Sequence, residues 1–65
     1  MNTMDRFADN QLQEILAADK RSSAQTVYLR LARLLELEIN GSLPLREVKD
    51  IAASAMSRAG IYISI

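Results

Sequence analysis

Apolar side chains recur at three- and four-residue spacing in three stretches of this chain, and each stretch reads as an amphipathic helix. In the first, from about residue 2 to residue 20, Met4, Phe7, Ala8, Leu12, Ile15 and Leu16 form one stripe, interrupted by Gln11. Asn2 or Thr3 can cap its start, and Asp5 suits the positive end of its dipole, Lys20 and Arg21 the negative end. The second begins at Ser22, where Ser22-x-x-Gln25 is a capping-box pattern, and runs to about Asn40 with Gly41 as its stop. The third runs from about Leu43 or Pro44 to Ala59, striped by Leu45, Val48, Ile51, Ala52, Ala55, Met56 and Ala59, with Ser42 as a candidate cap and Gly60 as the stop. Beyond Gly60 the period changes to two. Ile61, Ile63 and Ile65 alternate with Tyr62 and Ser64, as in a short strand.

The second helix carries more apolar surface than one stripe needs. Val27, Tyr28, Leu31, Ala32, Leu34, Leu35 and Ile39 fill an arc of roughly 160°, opposite Arg30, Arg33, Glu36 and Asn40. Leu29 and Leu37 fall among these polar residues, and Glu38 falls inside the apolar arc. A helix apolar on more than one face is central or shared with another chain. Leu29 and Leu37, together with Ile61, Tyr62, Ile63 and Ile65 of the tail, are therefore the candidate protein-interaction residues. The tail has no second strand within the chain, so the same tail of a second copy is its expected partner.

Size makes such a partner useful. Sixty-five residues form one small domain, 1–65, which buries only about 60% of the surface its unfolded chain exposes. There is no cysteine to staple it, so self-association is the remaining source of stability. Cysteine and histidine are both absent, which removes thiolate metal sites, the commonest general base and the commonest zinc ligand. Glu36 and Glu38 face different ways on their helix, and Glu47 and Asp50 are an isolated pair on a solvated face. Ser and Thr have no imidazole to activate them, and the two glycines are helix stops rather than a phosphate loop. An enzyme, a metal site and a cofactor are all unexpected. No apolar run is long enough to span a membrane. The N-terminal stretch has Asp5, Arg6 and Asp9 in place of an apolar signal core, so a cytoplasmic location is expected.

Eight basic residues balance eight acidic ones, which excludes a DNA-coating chain. Two pieces nevertheless resemble DNA-binding families. The stretch Ile51-Ala52-Ala53-Ser54-Ala55-Met56-Ser57-Arg58 resembles the Ile-Ala…Gly-Val-Ser-Arg segment of helix-turn-helix repressors. It is one residue shorter between Ile51 and Ser57, and Ala55 replaces the turn glycine. Val27-Tyr28-Leu29-Arg30-Leu31-Ala32 through Gly41-Ser42-Leu43-Pro44 resembles the first helix and exit of winged-helix repressors of the GntR type. That resemblance implies a DNA-binding regulator. Independently of that resemblance, Arg30, Arg33, Arg46, Lys49 and Arg58 are the candidate nucleic-acid contacts, with no aromatic beside them for base stacking.

The reading is an all-α fold: a three-helix domain with a short extended C-terminal tail, in a homodimer. Its expected function is non-enzymatic, as an adaptor, inhibitor or chaperone of a larger bacterial or phage protein. Its expected partners are itself and another protein. A small dimeric helix-turn-helix-like transcriptional regulator is the alternative.

Overall fold

Side-chain caps start the first two helices, and left-handed backbone ends the last two. A computed structural model, describing residues 2–63, contains α1 (Thr3–Ala18), α2 (Ala24–Ile39) and α3 (Leu45–Arg58), and the described residues contain no strand. Asn2 caps α1, its side-chain oxygen accepting the Asp5 N–H at 2.8 Å. The helix stops earlier than its periodicity suggests because Asp19 leaves the helical conformation. The Asp19 carboxylate accepts the Arg21 N–H at 3.1 Å and the Ser22 hydroxyl, closing a turn on itself. Lys20 and Arg21 thus lie beyond α1 rather than on its last turn.

The same turn corrects the start of α2. Ser22 turns its hydroxyl to Asp19, and Ser23 rather than Ser22 caps α2, accepting the Thr26 N–H at 3.2 Å. At the far end Asn40 and Gly41 both take the left-handed conformation, φ 49° and 83°. The Ser42 hydroxyl donates to the Ile39 carbonyl at 2.8 Å, so Ser42 closes α2 instead of opening α3. Pro44 occupies the N-cap of α3 without a side-chain hydrogen bond, and helical residues start at Leu45.

All three helices pack against one another around one core. Leu12, Leu31, Leu35, Val48 and Met56 are fully enclosed, each worth about 1.5–3 kcal/mol of transfer free energy. Ala8, Ala52 and Ala55 are equally buried, and such small contact residues bring helix axes close. Among the described residues no buried side-chain polar atom lacks a hydrogen bond. The Cα radius of gyration, 10.8 Å, matches the value of about 10.7 Å expected for this length.

Gly60 determines where the tail goes. With φ at 78° it lets its own N–H bond the Ser57 carbonyl (3.0 Å) and the Ile61 N–H bond the Met56 carbonyl (2.9 Å). This is a Schellman motif, in which the residue after the glycine packs back on the last turn. Ile61 and Ile63 accordingly lie against the core cluster, while Tyr62 between them is 77% exposed. The period-two alternation is present, but its apolar side is turned to the chain's own helices. Ile65 lies outside the described residues.

Candidate functional site

The outer face of α2 is where apolar surface and charge meet. Leu29 and Leu37 are 56% and 66% exposed, so neither α1 nor the described part of the tail covers them. Leu34, placed in the core arc by periodicity, is 36% exposed at the edge of that arc. Between Leu29, Leu34 and Ile15 of α1 runs an open groove of about 470 Å³, walled by Thr26, Arg30 and Arg33. Glu38, which falls inside the apolar arc, is exposed in the last turn of the helix.

One wall of the groove is fixed to the α1–α2 junction. The Arg30 guanidinium donates to the Asp19 carboxylate at 3.0 Å. Asp19 therefore accepts from Ser22, Arg21 and Arg30 at once. The Ser22 hydroxyl foremost, then the Arg21 N–H and the Arg30 charge, hold its pKa below the ordinary 3.8. Arg33, one helical turn on, is exposed and forms no ion pair among the described residues.

A second groove, of about 360 Å³, lies between the start of α2 and the tail. Tyr28, Met56, Ile61, Tyr62 and Ile63 line it, with Gln25 and Ser57 at its polar edge. The candidate interaction residues therefore divide into two places. Leu29 and Leu37 lie on the outer face of α2, while Ile61, Tyr62 and Ile63 lie beside its inner edge. Among the described residues no carboxylate and no basic side chain lines this groove.

The basic residues do not form one patch. Arg30 and Arg33 share the α2 groove, Arg46 and Lys49 are exposed near the start of α3, and Arg58 is at its end. Arg58 donates from Nε (3.1 Å) and Nη2 (2.8 Å) to one oxygen of Asp9. That hydrogen bond raises the Arg58 pKa further. α3 is continuous through Ala55, where a helix-turn-helix reading would need its turn. Among the described residues no three carboxylates cluster as metal ligands, and no helix is long and apolar enough to cross a membrane.

Sequence reasoning singled out Leu29 and Leu37 but missed Leu34 and Ile15, which complete the groove. Both belong to apolar stripes, and a stripe does not distinguish its buried centre from its edge. Leu45 shows the same effect: it begins the α3 stripe and is half exposed. Compared with known protein families, with curated proteins and with solved structures, the chain matches none of them.

Proposed function

We propose that this chain is a non-enzymatic interaction protein, acting as a homodimer through its helical surface and tail on a larger bacterial or phage protein. The observation that carries this reading is the outer face of α2. Leu29, Leu34 and Leu37 expose apolar surface on one helix, beside cations, in a domain whose core is already complete without them. Apolar side chains concentrated on one face of a small domain are better explained by a covering partner than by the core. The composition supports the same reading, because without histidine or cysteine the groove has little with which to activate a nucleophile. The expected location is cytoplasmic.

The alternative, a small DNA-binding regulator, draws on Arg30, Arg33, Arg46, Lys49 and Arg58. Two of the five candidate cations, Arg30 and Arg58, are already engaged by carboxylates, and the formal net charge is zero. Any DNA binding should then be weak, non-specific and steeply salt-dependent. Affinity capture from lysate, with and without nuclease, separates the two. Capture of one stoichiometric protein that survives nuclease supports the interaction reading. Nuclease-sensitive capture, or sequence-selective nanomolar DNA binding at physiological salt, sinks it.

A further inference from the structure

Charge is not evenly distributed along α2. Lys20 and Arg21 precede the helix, Arg30 and Arg33 follow in its first two thirds, and no carboxylate stands between Lys20 and Leu35. Glu36 and Glu38 then occupy the last turn. This order opposes the helix dipole, which favours carboxylates at the first turn and cations at the last. α2 has no acidic residue in its first turn and no basic one in its last. Neither Arg33, Glu36 nor Glu38 forms an ion pair among the described residues. The helix is thus electrostatically unfavourable by itself and complementary to a reversed copy of itself.

We propose that a second copy of this chain covers the outer face of α2, with the two α2 helices antiparallel across a two-fold axis. The inference rests on the interaction reading above and names its occupant. At about 100° per residue, Arg30 and Leu37 lie near the middle of the exposed face. Leu34 and Glu38 flank them on one side, Arg33, Leu29 and Glu36 on the other. In an antiparallel two-fold pair each flank meets the same flank of the other copy. Arg30 then approaches Glu38 of the second copy, and Arg33 approaches Glu36 of the second copy, each twice by symmetry. Leu29, Leu34 and Leu37 lie between these charges and lose their exposure to water. An acidic partner helix would instead meet Glu36 and Glu38 unfavourably. One helix face is a small interface, below about 1,200 Å² in total, so the dimer is a weak one.

The test is a charge swap read by sedimentation velocity on the full chain. Wild type should self-associate between about 10 and 500 μM, and less so at high salt. Arg33→Glu and Glu36→Arg each place like charges together, and each should raise the dissociation constant about 10-fold or more. Mixed one to one, the two variants should form a heterodimer about as tight as wild type. Both positions are exposed, and circular dichroism confirms that each variant is folded. A wild type that is monomeric at about 500 μM overturns the inference and the homodimer with it; if it still captures another protein, the adaptor part of the interaction reading stands. A dimer that both variants retain, or a mixture that fails to restore pairing, overturns it as well.

Discussion

Arg58, at the end of α3, donates two hydrogen bonds to a single carboxylate oxygen of Asp9, near the middle of α1 and 49 residues earlier in the chain. It is the one ion pair among the described residues that joins the first and third helices directly. Both side chains are about one-third exposed, so solvent screens the pair. Arg58→Ala should cost about 0.2–1 kcal/mol in urea unfolding, and less at high salt. A loss above about 2 kcal/mol would mean that the pair holds the α1–α3 contact rather than decorating it.

Stability is centred on α2. Leu35 and Leu31 are fully enclosed by the other two helices. Leu35→Ala should cost about 2–5 kcal/mol, comparable to the whole stability of so small a domain. Arg33→Ala, on the exposed face, should cost well under about 1 kcal/mol. Equal melting temperatures for the two variants would contradict the facial assignment.

Much of this was legible beforehand, for identifiable reasons. The three helices, and the stops of α2 and α3, follow from 3.6-residue periodicity and from Gly41 and Gly60, because burial and left-handed backbone each leave a residue-level signature. The α1–α2 junction was not legible. Ser22 and Ser23 are both competent caps by residue type; in the fold Ser22 points its hydroxyl at Asp19 and Ser23 takes the Thr26 N–H. The placement of the tail was not legible either. Alternating isoleucines suit a strand as well as a segment packed on its own helices; the Schellman bonds at Gly60 turn the chain back, and Ile61 and Ile63 lie against the core. Leu29 and Leu37 announced themselves by falling among charged residues, whereas Leu34 was hidden inside the apolar arc.

The tail packing has its own consequence. Ile61→Ala should cost about 1–2 kcal/mol for a half-buried side chain, and Tyr62→Ala should stay within about 0.5 kcal/mol. Gly60→Ala meets no atom within 4 Å yet must hold a positive φ, and should cost about 1–2 kcal/mol from backbone strain alone. Thermal melts that left Ile61→Ala unchanged would show that the tail does not complete the core.

The α1–α2 junction should be sensitive to acid. Asp19 has a folded-state pKa below its ordinary value of 3.8, so its ionised form stabilises the fold. That contribution is fully present above pH 3.8 and is lost as pH falls below it through the folded-state value. Asp19→Asn keeps an acceptor for Ser22 and Arg21 but removes the charge. Its melting temperature should lie below that of wild type near neutrality, and the two should converge in this acid window. Parallel pH curves would exclude Asp19 from the acid response.

The central claim is that the outer face of α2 is the working surface, and the absence of native cysteine allows a direct test. A photo-crosslinker attached to Leu37→Cys is compared with one attached to Lys49→Cys, an exposed position on α3. Irradiation in lysate should join the Leu37 position to a protein, either a second copy or another chain, and leave the Lys49 position largely uncoupled. Crosslinking from Lys49 and none from Leu37, or crosslinks to nucleic acid at both, would contradict the account.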